Sequence, residues 1–476
     1  MACPHIPILR RGVAYESLDA IELTDLRGGG PVARISQANG GIIRKDLSRI
    51  GAGREALRRL STRALLAVFR EAGERFMNAD LPLGEAAQSP QAYVESLCAT
   101  SGLPHALIRR NMAKIHQVFT EMPAILRGLT RGLDFKLLDD GAGEQDGIAL
   151  SYYPVTTALG VVLPSNSPGV NSLWLPAVAL KIPVVIKPGR EEPWTPFRII
   201  QALIAAGCPA EAFSFYPTDH DGAAAVIKAC GRVLLFGDAQ TTAAYANNPA
   251  VQVHGPGFSK VLIGEDEIED WPEYLDVLVD SIAANGGRSC INASTIVVPA
   301  RGREIADALG RRLAGIGPRP AEDPGAALAG FANPGLAEAI NAAIDAGLGT
   351  PGAEDVTARH RAGPRKVVFD HATYLLPTLV RCASFAHPLA NREFLFPYAA
   401  VVEVPQARML EQIGPSLVVS AITRDRAFID QLIQCPLIER LNLGRVPTTQ
   451  VQWDQPHEGN LFEFLYRRRA IQRAGV

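Results

Sequence analysis

From Ala158 to His254 the chain alternates short apolar runs with segments of helical period, and this alternation restricts the fold more than any other feature. Ala158-Leu-Gly-Val-Val-Leu-Pro reads as a buried strand, followed by a helix over 171–181. Pro183-Val-Val-Ile-Lys187 is the next strand and 196–206 the next helix. Strands at 212–216, 232–237 and 251–254 follow, with helices over 223–230 and 241–247 between them. Strands this continuously apolar need cover on both faces, and helices in the crossovers supply it, so the pattern predicts parallel βαβ units and a doubly wound sheet. Ligands of such sheets lie beyond the carboxyl ends of the strands. Attention therefore falls on Pro164-Ser165-Asn166, on Lys187-Pro188-Gly189-Arg190 and on Gly237-Asp238.

The flanking regions read differently. Residues 1–50 predict an irregular or short-stranded entry broken at Gly28-Gly29-Gly30 and Gly40-Gly41. From Gly53 to about Gly132 apolar residues recur at i, i+3, i+4, a helical period. The polar stretch 134–150 predicts a β-hairpin leaving the helical body. A second alternation follows Lys260, with helices over 273–284, 301–316 and 335–346 and strands beginning at Thr295, Tyr374, Ala399 and Ser416.

With 476 residues there is room for two or three cored domains. A formal charge of −2 argues against nucleic acid as a partner. The longest apolar stretch, 173–186, is interrupted by Pro176, Lys181 and Pro183, which predicts no membrane span. The seven cysteines form no CxxC pair and no zinc spacing, and the opening residues carry no apolar signal core. The expectation is a reduced, cytoplasmic protein without a metal.

One cysteine stands apart. In Gly286-Gly287-Arg288-Ser289-Cys290-Ile291-Asn292 it follows a double glycine and precedes an apolar run, a setting open to a ligand. A thiolate there is a nucleophile once its pKa is lowered. Neither GxGxxG after a strand nor GxxxxGK[ST] occurs, so any nucleotide is bound without those fingerprints.

Five segments in order resemble the aldehyde dehydrogenase superfamily. Leu163-Pro164-Ser165-Asn166 resembles its Pro-Trp-Asn segment, Lys187-Pro188-Gly-Arg190-Glu-Glu-Pro193 its Lys-Pro-Ser-Glu-x-x-Pro, and Phe236-Gly237-Asp238 its Phe-Thr-Gly-Ser turn. Gly286-Gly-Arg-Ser-Cys290 resembles Gly-Gln-x-Cys, and Pro377-Thr378 with Arg392-Glu393-Phe-Leu-Phe-Pro397 resembles Pro-Thr…Glu-Glu-Ile-Phe-Gly-Pro. The resemblance implies an α/β fold in three parts: an NAD(P)-binding domain (1–133 and 151–256), a catalytic domain (257–445), and a small β oligomerisation element (134–150 and 446–476) joining a homodimer or homotetramer. It implies Cys290 as nucleophile, with the Asn166 amide and the Cys290 N–H as the oxyanion hole. It implies Lys187, Glu393, Gly237, Pro164 and Ser165 around NAD or NADP.

Three departures carry information. Hydrolytic members of the family have a glutamate upstream of the cysteine that activates water, where this chain reads His254-Gly255-Pro256-Gly257. That stretch is similar to the CoA-acylating branch, where CoA takes the place of water. An imidazole is also a competent base near neutral pH, so His254 stands as a candidate replacement. Arg190 occupies the place of a glutamate that repels a 2′-phosphate, which tilts the cofactor toward NADP. Asp238 replaces a serine or threonine near the pyrophosphate, a poor place for a carboxylate unless it caps the helix that follows. Three functions are weighed, and the first is the leading expectation. It is a CoA-acylating aldehyde dehydrogenase (acyl-CoA reductase), interconverting an aldehyde and an acyl thioester. The second is an enzyme oxidising an aldehyde to the free acid with His254 as base, and the third is a non-catalytic scaffold.

Overall fold

The computed structural model describes residues 3–472; the outermost residues of the first and last implied domain segments, 1–2 and 473–476, lie outside them. Two seven-stranded sheets organise the chain. The first runs in the order Val251–His254, Arg232–Phe236, Leu159–Val162, Val184–Lys187, Phe213–Phe215, then Ile8–Arg10 and Val13–Tyr15. Its first five strands are parallel, and the N-terminal hairpin closes one edge antiparallel. Leu159–Val162 pairs with Val184–Lys187 on one side and Arg232–Phe236 on the other, so the chain changes winding direction there. That switch opens a crevice at the strand ends, and Pro164, Ser165, Asn166, Gly237 and Asp238 all follow those two strands.

The second sheet holds Ser259–Ile263, Ala293–Val298, Thr378–Cys382, Tyr398–Glu403, Ser416–Ile422 and Ile438–Leu443 in parallel, with Ala353–Asp355 antiparallel at its edge. Its central strands are buried along their length, the signature of a sheet covered on both faces. A third, antiparallel sheet pairs Tyr466–Arg469 with Ile148–Pro154 and Ala142–Gln145, bringing the C-terminal segment onto the excursion after residue 141.

Several local expectations are corrected. Residues 134–150 do not form a hairpin throughout: the helix Phe135–Asp140, capped by Asp134, precedes the strands, and the hairpin turns at Asp146-Gly147. The helical stretch 53–132 is interrupted by a hairpin, Leu81–Leu83 with Ala86–Gln88, where Pro82 and Gly84 stop a helix. The entry segment contains the helix Gly40–Leu47, started by the Asn39 side chain on the Ile42 N–H. The run after Tyr374 breaks at Pro377 into Ala372–Leu375 and Thr378–Cys382. The helix expected over 171–181 is a 3-10 turn, Pro168–Leu173, leading into the α-helix Leu175–Ala179, and 241–247 shortens and shifts to Ala239–Ala243.

Candidate active site

Cys290 stands at the end of a loop that enters the second sheet at Ala293. Three successive residues, Asn285, Gly286 and Gly287, have left-handed φ values of 55°, 67° and 68°. Gly287 has a second constraint, because a Cβ there would lie 2.3 Å from the Phe396 carbonyl carbon. Asn285 tolerates its backbone because its amide is fully engaged. Its nitrogen donates to Ser167 Oγ and Ser289 Oγ, and its oxygen accepts from Asn111 Nδ2 at 2.7 Å. Asn292 closes the loop, accepting from the Ser289 N–H and donating to the Ala284 carbonyl. The guanidinium of Arg288 is buried and donates to the carbonyls of Ser101 and Gly330; burial pushes its pKa down to about 10. The thiol is therefore presented by a rigid loop.

Cys290 is partly accessible, but what it meets is internal space rather than bulk water. Desolvation, with Glu458 and Glu393 nearby, raises its pKa well above that of a free thiol, while Lys114 pulls the other way. The resting group is a thiol that needs a base.

Asn166 follows the strand Leu159–Val162 and donates through Nδ2 to the Arg288 carbonyl at 3.0 Å, which ties it to the cysteine loop. One amide hydrogen remains, and the buried Oδ1 has no partner. Asn166 and Cys290 line the same two cavities.

His254 ends the strand Val251–His254, 5% exposed, with its ring stacked on Phe236 at 4.4 Å between centroids. Its Nδ1 is hydrogen-bonded to Glu458 Oε2. A carboxylate can only accept, so a proton sits on Nδ1 and Nε2 is the nitrogen left for other partners. Nε2 is buried and has no partner among the described residues. Glu458 is not picked out by the sequence. It comes from the C-terminal segment, with φ 50°, and nothing local announces it. Just beyond His254, a Cβ on Gly257 would lie 2.2 Å from the Cys290 carbonyl oxygen. The Gly-Pro-Gly stretch is thus a close backbone contact with the nucleophile's loop.

A cavity of about 1480 Å³ lies on the crevice side of Cys290, lined by Pro164, Ser165, Gly237, Asp238, His254 and Glu393 among others. Asp238 caps the helix Ala239–Ala243 by accepting from the Thr241 N–H at 2.8 Å, which holds its carboxyl below the usual carboxylate range. Glu393 accepts from the Phe258 N–H at 2.8 Å, and burial raises its pKa to about 7. Lys187 ends the strand Val184–Lys187, where burial lowers its pKa against the pull of Glu191. Arg190 is exposed. Neither Lys187 nor Arg190 is part of the cavity lining. The cavity's carboxylates suit ribose hydroxyls.

A second cavity of about 930 Å³ opens on the other side of the thiol. Its walls are mostly apolar, including Ile125, Leu129, Val170, Leu173 and Trp453, with Lys114 and His457 as polar members. Its aromatic members are Phe236 and Trp453, whereas Trp174, Phe396 and Phe462 are packed in cores and Phe394 stacks edge-on against Tyr398. No cluster of three metal-ligating side chains occurs among the described residues, and no helix there is long and apolar enough to cross a membrane.

The model of the aldehyde dehydrogenase family matches residues 86–412. The chain belongs to the aldehyde dehydrogenase family. Solved structures with the family's fold superpose over nearly the whole length. The aldehyde dehydrogenase KauB from Pseudomonas aeruginosa has a TM-score of 0.80 at 13% identity, covering 98% of this chain and 96% of its own. Aldehyde dehydrogenase 21 from Physcomitrella patens, solved with the reaction product succinate, has a TM-score of 0.79 at 14% identity, covering 98% of both chains. An NAD-dependent aldehyde dehydrogenase from Sinorhizobium meliloti has a TM-score of 0.77 at 14% identity, covering 98% and 94%. At these identities the likeness is one of fold. No curated protein matches the chain in sequence.

Proposed function

We propose that the protein oxidises an aldehyde to its carboxylic acid with NAD(P)⁺, through a thioester on Cys290 that His254 opens to water. The observation that carries this reading is the His254–Glu458 pair, which leaves an unpartnered Nε2 in the wall of the cavity that also holds the nucleophile. Cys290 gives its proton to water in the cavity and its Sγ bonds the carbonyl carbon, while the developing oxyanion takes hydrogen bonds from the free Asn166 amide hydrogen and the Cys290 N–H. NAD(P)⁺, when bound, supplies the hydride acceptor that turns the tetrahedral adduct into a thioester. The cavity on the crevice side would hold that group: Pro164, Ser165 and Gly237 would line its path, and Glu393 would accept from its ribose hydroxyls. Asp238 is spent on its helix cap and so spares the phosphates. Lys187 and Arg190 would act at the adenosine end, Arg190 favouring a 2′-phosphate. His254 Nε2 then takes a proton from water as the water oxygen bonds the thioester carbon, and the carbon–sulfur bond breaks to release the acid. The NAD-dependent relative from Sinorhizobium meliloti supports the cofactor class.

The second reading exchanges the thioester with CoA. It rests on the missing glutamate and on Gly255-Pro256-Gly257. Product analysis separates the two: the enzyme with an aldehyde and NAD(P)⁺ should form acid at the same rate with or without CoA. Turnover that requires CoA and yields acyl-CoA would replace the hydrolytic reading with the acylating one. Assembly as a homodimer or homotetramer through the third sheet, and a cytoplasmic location, complete the proposal.

A further inference from the structure

Lys114 is one residue on the helix His105–Thr120 that the chemistry above does not use. It lies one turn beyond Asn111, the residue that clamps Asn285 in the cysteine loop. Its side chain is half-buried and lines the cavity beside the thiol, with Nζ 3.6 Å from where a Cβ on Gly169 would stand. Desolvation lowers the pKa of Lys114, opposed by the nearby Cys290 sulfur and reinforced by Arg440. Among the described residues it has no ion-pair or hydrogen-bond partner, so its charge is left to face the cavity.

The surroundings say what is missing. The 930 Å³ cavity that Lys114 lines has no aspartate or glutamate in its wall. Arg440 donates to Nδ1 of His457 at 2.7 Å, and a guanidinium cannot accept, so His457 is neutral there with its proton on Nε2. His457 therefore offers a donor on the same wall. The nearest carboxylate, Glu458, is taken up by His254, so the apolar chamber presents a cation and a neutral donor beside Cys290 with no carboxylate among its described lining residues.

We infer that Lys114 anchors a carboxylate on the substrate, making this a dehydrogenase of aldehydes that carry an acid group at their far end. One ammonium in an otherwise apolar wall matches a monoanion; a phosphate dianion would call for more donors than the cavity provides. The inference rests on the aldehyde-oxidising reading for its reaction but on the cavity alone for its ligand.

The test compares wild type with Lys114→Met and Lys114→Arg on a carboxylate-bearing aldehyde and on its neutral methyl ester. Wild type should favour the acid by tenfold or more in kcat/KM. Lys114→Met should lose that preference through a raised KM for the acid alone, with the KM for the ester within about twofold and any fall in kcat from the altered thiol shared by both substrates. Lys114→Arg should keep part of the preference. Equal losses on both substrates, with the alkaline limb of Cys290 alkylation by iodoacetamide moved upward, would overturn the inference and make Lys114 a thiolate stabiliser. No preference in wild type would also overturn it. A binding arm separates this outcome from failure of the oxidation reading. Glutarate, the product-like probe, should raise the melting temperature of wild type and not of Lys114→Met even if no aldehyde is turned over. Absence of that shift in wild type would end the proposal.

Discussion

On one side of Cys290 the walls are strand ends and tight turns: Pro164-Ser165-Asn166, Gly237-Asp238 and Gly255-Pro256, with Glu191, Asp238 and Glu393 as the acidic members. On the other they are side chains from the helices His105–Thr120 and Met122–Leu129, the turn Pro168–Leu173 and the segment 451–461, mostly apolar and with one cation. The first cavity is made by backbone that must pass close to a ligand, so few residue types can stand there and the positions form contiguous motifs. The second is made by side chains that can change without disturbing the fold. It is where specificity can vary while the reaction stays the same.

The comparison makes predictions of decreasing size. Removing the group the cavities share has the largest effect: Cys290→Ser should cut turnover by about 10⁴-fold or more, and undiminished activity would remove the thiol from the reaction. Asn166→Ala, which takes a donor from the junction while leaving the loop in place, should cost about 10²–10³ in kcat with little change in KM. Glu458→Gln, which loosens His254 and removes a negative charge near Cys290, should cost about tenfold and shift the pH profile of kcat.

Two smaller effects test the motif side as structure rather than chemistry. Gly257→Ala forces a Cβ against the Cys290 carbonyl and should destabilise the protein by about 1–3 kcal/mol, read by thermal unfolding. Glu192, inside the Lys187–Pro193 motif, is fully buried, accepts from the Thr195 N–H, and has its pKa raised to about 8 by burial. Its folded pKa lies above its unfolded one, so the folded state holds the extra proton. Stability is then fully present below the unfolded pKa and falls as pH rises from about 4.5 through 8. Glu192→Gln should remove a decline of roughly 2–4 kcal/mol between pH 5 and 9, leaving a flatter melting curve. An unchanged pH dependence would mean Glu192 titrates normally.

The same contrast explains what the sequence disclosed. The parallel sheet was legible from 158–254 because fully buried strands cannot hide their apolar runs. The helix cap of Asp238 was legible because capping is a local event. The hairpin at 81–88 was not, since a helical period on both sides masks two three-residue strands. Glu458 and Lys114 were not, because each meets its site across long sequence separations, and periodicity carries no information about such meetings. Nor could the sequence reveal that His254 is paired through Nδ1, which decides whether its other nitrogen can act as a base.

The central claim is that His254 opens the Cys290 thioester to water. Pre-steady-state mixing of His254→Ala with aldehyde and NAD(P)⁺, without CoA, tests it directly. The account predicts a burst of about one NAD(P)H per active site followed by a steady-state rate lowered by about 10²–10⁴, with acyl-enzyme detectable on Cys290 by mass. A variant whose steady-state rate equals wild type, with no acyl-enzyme accumulating, would contradict it.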